Sequence, residues 1–141
     1  MSLITLKVIT PERVVFEGEV DQVTLPVSDG EVTILPKHRS YIASLKVGEI
    51  TTKKGTQESN IAVVGGFLEF ADNQLTVLAD EALRAEEIDI EAAEAARKRA
   101  EDIKNNVIRT DEVEYARVAA ALEQELSKIK IAKKYLSRRG L

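Results

Sequence analysis

Cysteine is absent from the 141 residues, as is tryptophan, and histidine occurs once. Without cysteine there is no disulfide framework, no thiolate metal site and no cysteine nucleophile, a usage that suits a reducing compartment. A lone histidine, His38 in Pro36-Lys37-His38-Arg39, has no second histidine or cysteine near it to complete a metal site. No apolar run approaches the roughly 18 to 20 residues that span a bilayer. The opening Met1-Ser2-Leu3-Ile4-Thr5-Leu6-Lys7 alternates polar and apolar residues, unlike a signal peptide. Membrane association is therefore expected only through a partner. A basic surplus is also missing: the formal charge is -4, which argues against a general nucleic-acid binder.

What is present suffices for a folded chain, with 44% hydrophobic and 31% charged residues. The length allows one ordinary domain, or a small domain with an appendage. Glycine and proline divide it unevenly. Pro11, Gly18, Pro26, Gly30, Pro36, Gly48, Gly55, Gly65 and Gly66 all fall in the first half, and none occurs from Phe67 to Arg139. Because these residues punctuate turns and interrupt helices, the first half reads as many short elements and the rest as long ones.

Period-two alternation marks candidate strands at Leu3 to Ile9, Val14 to Glu17, Val20 to Val27, Val32 to Leu35, Tyr41 to Leu45, Glu49 to Lys53, Asn60 to Val64, Phe67 to Phe70 and Gln74 to Leu78. Lys53-Lys54-Gly55 and Ala71-Asp72-Asn73 carry hairpin-turn chemistry. The connections are too short for crossover helices, which predicts antiparallel pairing throughout. Gly65-Gly66 has no Gly-Lys-Ser/Thr continuation of a phosphate loop and reads as a bend or bulge within strand sequence.

After Asp80 the composition becomes alanine-rich and charged. Asp89 is a candidate N-cap, with Glu86, Glu87, Glu91 and Glu94 suited to a helix N-terminus. Ala92, Ala96, Ala100 and Ile103 would share the apolar face of a first helix ending near Asn105-Asn106. Thr110, Asp111, Glu112 and Val113 offer a second start. Tyr115, Ala119, Leu122, Leu126, Ile129 and Leu136 form a seam that Lys133 interrupts, running to about Arg138, with Gly140 as the stop. The fold expected is α+β: an N-terminal antiparallel β-sandwich over 1–85 and a C-terminal antiparallel two-helix hairpin over 86–141. An alanine-lined seam buries little side chain, so the hairpin should be weakly held.

No enzyme motif emerges, because carboxylates on the helices are accounted for as solvated faces and none pairs with a nucleophile. Lys128, Lys130, Lys133, Lys134, Arg138 and Arg139 form a series with no acid among them. That series complements a helix C-terminus or forms a docking strip for an acidic partner.

Three ordered segments, Gly30-Glu31-Val32-Thr33-Ile34-Leu35-Pro36-Lys37-His38, Val64-Gly65-Gly66-Phe67-Leu68-Glu69-Phe70 and Leu75-Thr76-Val77-Leu78-Ala79-Asp80, precede an Ile88-Asp89 helix start and Val113-Glu114-Tyr115-Ala116. This order, over the whole chain, resembles the epsilon family of bacterial F-type ATP synthases. The resemblance implies a non-catalytic central-stalk subunit of a proton-translocating enzyme, held peripherally at the cytoplasmic face of the plasma membrane. Its sandwich would grip the gamma subunit and rest on the c-ring, with Gly30, Glu31 and His38 facing the ring. Its helices would restrain ATP hydrolysis by reaching the alpha and beta subunits, with the basic series as the docking residues.

Two departures from the family accompany the resemblance. The loop that usually reads Gly-x-Leu-Gly-Ile-Leu-Pro-Gly-His-x-Pro has Thr33, Lys37 and Ser40 in place of two glycines and the last proline, and Lys37 is costly if the position needs a positive backbone angle. The ATP-binding signature Ile/Leu-Asp-x-x-Arg-Ala appears as Ile88-Asp89-Ile90-Glu91-Ala92-Ala93. Ile88, Asp89 and Ala93 survive, but Ala92 removes the arginine that would meet phosphate. No cofactor is expected, and ATP binding as a regulatory ligand is expected to be weak or absent. The competing reading is a stand-alone interaction module that displays a helical hairpin.

Overall fold

The computed structural model describes residues 3–106 and 112–138. Two compact units divide the chain, Met1–Ala85 and Glu86–Leu141. The first holds eight strands: β1 (Ile4–Ile9), β2 (Val14–Val20), β3 (Gln22–Val27), β4 (Gly30–Ile34), β5 (Tyr41–Ser44), β6 (Gly48–Lys54), β7 (Gln57–Ala71) and β8 (Gln74–Arg84). They form a sandwich-like mixed sheet in the order β2-β1-β8-β7-β6-β3-β4, with β5 also paired to β7.

Two long strands make this arrangement possible. The first part of β7, Gln57 to Val63, pairs with β6, whereas Phe67 to Phe70 pairs with β5. β8 follows β7 along its length, from Ala71↔Gln74 to Ile61↔Arg84. The runs Asn60 to Val64 and Phe67 to Phe70 are thus one strand, bent where Gly65 and Gly66 take φ of 63° and 114°. At the same point the buried positions of β8 change parity, from Val77 and Ala79 to Ala82, as its inner face turns toward the other layer.

The expectation of exclusively antiparallel pairing is corrected at one place, since β1 and β8 are parallel, Thr5↔Gln74 to Ile9↔Leu78. No crossover helix is needed because six intervening strands form the connection. β8 also runs six residues beyond Leu78, through sequence rich in helix formers. Pairing with β7 and burial of Ala79 and Ala82 outweigh local propensity there. The Asp72-Asn73 turn is a two-residue hairpin with φ of 51° and 61°, the geometry of a type I′ turn.

The core draws on both layers: Ile4, Leu6, Leu25, Ile34, Ile50, Ile61, Leu68, Phe70 and Leu75 are fully buried. Each such aliphatic or aromatic side chain contributes about 1.5 to 3 kcal/mol.

The second unit has a 3-10 turn at Ala85–Glu87 that overlaps the boundary, then α1 (Ile90–Asn106) and α2 (Glu112–Arg138). Asp89 caps α1, its Oδ1 accepting from the Ala92 N–H at 3.1 Å and its carbonyl from Ala93 at 3.0 Å. The buried residues of α1 are Ala93 and Ala100. Ala92 and Ile103 are exposed, so the expected apolar face is out of phase at both. Val118, Leu122, Ile129, Ile131 and Ala132 are the buried residues of α2, whereas Leu126 is exposed. Thr110, Asp111, Arg139 and Gly140 lie outside the described residues.

Candidate functional site

Strand pairing builds an outer face on the first unit that alternation alone did not reveal. The register aligns Val14, Ile9, Leu78, Phe67 and Ser44 in one row across β2, β1, β8, β7 and β5. The neighbouring row on the same face is Lys7, Thr76, Glu69 and Ile42, because side chains two residues apart share a side, and Glu17 joins it across the β-bulge that separates Val14 from Phe16. Val14, Leu78, Phe67 and Ile42 are 48%, 55%, 60% and 72% exposed. One sheet therefore carries apolar side chains on both faces, Leu68 and Val77 inward and Phe67 and Leu78 outward. An exposed apolar patch rimmed by Glu17, Lys7 and Glu69 is the signature of a docking surface. The signal available in the sequence was the adjacent apolar pairs Phe67-Leu68 and Val77-Leu78, which break period-two alternation.

The loop residues expected to act together do not form one group. Gly30 and Glu31 begin β4 at its hairpin with β3, next to the bridge from Val27 to Leu45. His38 follows the opposite end of β4. Its ring sits edge-on to Tyr41 and Phe70, at centroid distances of 5.9 and 5.8 Å, and its N–H donates to the Leu35 carbonyl. Beside it, Lys37 adopts φ of 69°, held by its N–H donating to Asn73 Oδ1 at 2.6 Å. A non-glycine residue thus occupies the left-handed region where the resembling loop has glycine, at a cost of about 1–2 kcal/mol.

On the second unit, Ile88 is half-buried and Asp89 is engaged as the cap. Ala93 points its methyl into buried surroundings, offering no polar group. The nearest cation along α1, Arg97, is held by Glu94 and Glu101, each at 3.0 Å. Its hydrogen bond to Glu94 raises the Arg97 pKa, with Glu101 adding to the effect. The same hydrogen bond holds the Glu94 carboxyl below the ordinary glutamate range; desolvation opposes this and Lys133 adds to it. These residues leave no cation pre-placed for a phosphate.

The basic series is not one face. At 100° per residue, Lys130, Lys133 and Lys134 share an exposed arc with the exposed Leu126, whereas Lys128 lies on the other side, 3.4 Å from Glu125. Lys133 reaches across to α1, 3.4 Å from Glu94, and Arg138 is exposed near the end of α2. Where α1 ends and α2 begins, Lys104 lies 5.5 Å from the Tyr115 ring centroid. Among the described residues no cluster of three metal-ligating side chains occurs, and no helix is long and apolar enough to cross a membrane.

Residues 3–85 match the family model of the ATP synthase delta/epsilon chain beta-sandwich domain, a span ending where the first unit ends. An ATP synthase epsilon chain from Desulforamulus reducens is 42% identical over 127 residues, covering 90% of this chain and 95% of the relative. The epsilon chain of Bacillus velezensis is 37% identical over 132 residues, covering 94% and 98%. Among solved structures, a chain of the Euglena gracilis mitochondrial ATP synthase superposes with a TM-score of 0.74 at 23% identity, covering 87% of this chain and 77% of that one. A chain of the Tetrahymena thermophila central stalk and c-ring gives 0.60 at 15%, covering 94% and 95%. These two likenesses concern the fold.

Proposed function

The chain belongs to the ATP synthase delta/epsilon family, and from that membership we propose how its two units divide the work of a central stalk. It is a non-catalytic subunit that couples gamma to the c-ring of an F-type ATP synthase. The sandwich unit, 1–85, carries assembly, and the observation that supports this most is its outer apolar row. Val14, Leu78 and Phe67 in this row, and Ile42 in the row beside it, are too exposed to serve the core, yet they share one face rimmed by charge. Gamma covers this row, since burial of such a patch drives association without any catalytic group. Gly30 and Glu31, at the hairpin end, face the ring. His38, at the other end of β4, is assigned to the gamma side with Tyr41. Attachment at the cytoplasmic face of the membrane follows from the complex.

The helical unit, 86–141, acts as a brake on hydrolysis. Lys130, Lys133, Lys134 and Arg138 give α2 a cationic end, and Leu126 adds an apolar contact on the face shared by the three lysines. An opened hairpin presents this face to acidic surface of the alpha and beta subunits. The α1 side of the seam buries only Ala93 and Ala100, which limits what closure gains, so a difference in affinity between the two states shifts the population.

Reconstitution tests both assignments. A chain ending after Ala85 should fold and bind gamma, whereas Phe67→Ser with Leu78→Ser should fold and fail to bind. ATPase rates should rise when the tail is deleted, and rise when Lys130, Lys133, Lys134 and Arg138 become alanine. Equal rates in all complexes would remove the brake; gamma binding by the double serine variant would remove the apolar row. Co-purification without gamma would favour the stand-alone module instead.

A further inference from the structure

Lys133 occupies two roles that exclude each other. It belongs to the exposed cationic arc of α2, yet in the closed hairpin its Nζ lies 3.4 Å from Glu94 Oε1. Glu94 is presented for this contact by its own helix: Arg97 Nε donates to the other carboxylate oxygen at 3.0 Å, and Arg97 is itself steadied by Glu101 at 3.0 Å. The carboxylate is thus oriented before Lys133 arrives. We propose that Glu94 is an internal stand-in for the acidic surface that α2 docks against, so that Lys133 is claimed by Glu94 in the closed hairpin or by the partner in the opened one, never by both.

This inference rests on the brake reading above and adds what regulates it. Both side chains are substantially exposed, 63% for Lys133 and 36% for Glu94. An ion pair so placed is weak, which lets a partner carboxylate displace it. Between Lys104 with Tyr115, where α1 ends and α2 begins, and Lys133 with Glu94 near the far end lies a seam with only alanines buried on the α1 side. Loss of the far contact therefore weakens closure where the start of α1 meets the end of α2.

The test uses the absence of native cysteine. Spin labels at Lys98→Cys and Glu123→Cys, both exposed, report the interhelical distance in the full chain, and the same variants without labels are reconstituted for ATPase assays. Glu94→Gln should raise the ratio of open to closed hairpin about two- to fivefold, the range expected for an exposed pair, and lower the ATPase rate by strengthening the brake. The exchange Glu94→Lys with Lys133→Glu should restore the closed distance but raise the rate, because the docking lysine has become acidic. An unchanged distance in Glu94→Gln overturns the proposal whatever the enzyme does. Opening without a lower rate overturns it too; if tail deletion is equally silent, the brake reading has failed with it.

Discussion

Replacing Gly66 by alanine should damage the sandwich more than any other single methyl addition at a turn. At φ of 114° the backbone is in a region that side chains avoid, and an added Cβ would collide with the Leu78 carbonyl oxygen and lie 2.8 Å from Ala79 Cα. Both obstacles are backbone of β8, so neither can swing aside. The strained φ costs about 1–3 kcal/mol, and a forced backbone shift costs about 1–3 more. The sum, about 2–6 kcal/mol, compares with a typical total stability of about 5–15 kcal/mol.

Gly55→Ala isolates the angular part. Gly55 has φ of 60° but nothing within 4 Å of an added Cβ. Its left-handed cost of about 1–2 kcal/mol is offset by about 0.4–1 kcal/mol of reduced freedom in the unfolded chain. For a unit of this size each kcal/mol moves the melting temperature by about 4–8 °C. At mid-range values, about 3 kcal/mol for Gly66→Ala after the same unfolded-chain offset and about 0.8 kcal/mol for Gly55→Ala, thermal circular dichroism should place the first about 12–24 °C and the second about 3–6 °C below wild type. Gamma binding should fall with Gly66→Ala, since Phe67 and Leu78 flank the collision. If the two variants melt together, the close approach of β7 to β8 is not what requires glycine, and the account of the bend is wrong.

Lys37→Gly should stabilise the chain by about 0.5–1 kcal/mol, the left-handed cost relieved less the added freedom of the unfolded state; a lower melting temperature would contradict this. ATP binding by the wild type should be weak or absent in calorimetry. Ala92→Arg, at an exposed position, should strengthen any residual binding about tenfold to a hundredfold, the value of one charged phosphate contact. Micromolar affinity in the wild type would sink that reasoning. The lowering of the Glu94 pKa owes most to Arg97 on its own helix and less to Lys133 across the hairpin, so only the Lys133 share supports closure; that share is full above the ordinary glutamate pKa and is lost as pH falls through the lowered value. Spin-label distances should accordingly hold steady from neutrality into the ordinary glutamate range and lengthen only below it; lengthening already near neutrality would exclude Glu94 as the latch.

Much of the local structure was legible in the residues themselves. Asp89 announced the start of α1, because capping chemistry acts within one turn. Asp72-Asn73 announced a hairpin, because few residue pairs accept two positive φ angles. The three ordered segments carried the family, and Ala92 was visible where the resembling signature has arginine. Lys37 raised the question of a positive angle, which the fold answers with φ of 69°.

Other features depended on which strand met which. Nothing near Thr5 indicates that it will lie beside Gln74 in parallel, since that pairing joins residues separated by nearly the whole sandwich. The extension of β8 through Ala79 to Arg84 needed the ladder offered by β7, which overrode sequence that favours a helix. His38 and Glu31 were separated by the length of β4, and Lys128 and Lys130 by a rotation of the helix. The sequence by itself determined where turns, caps and apolar residues fall, because those depend on dihedral preferences and on neighbours within a few positions. Only tertiary structure decided that Phe67, Leu78 and Val14 share an exposed row and that Lys133 meets Glu94, because cross-strand register and helix phase are settled by burial and hydrogen bonding between distant segments.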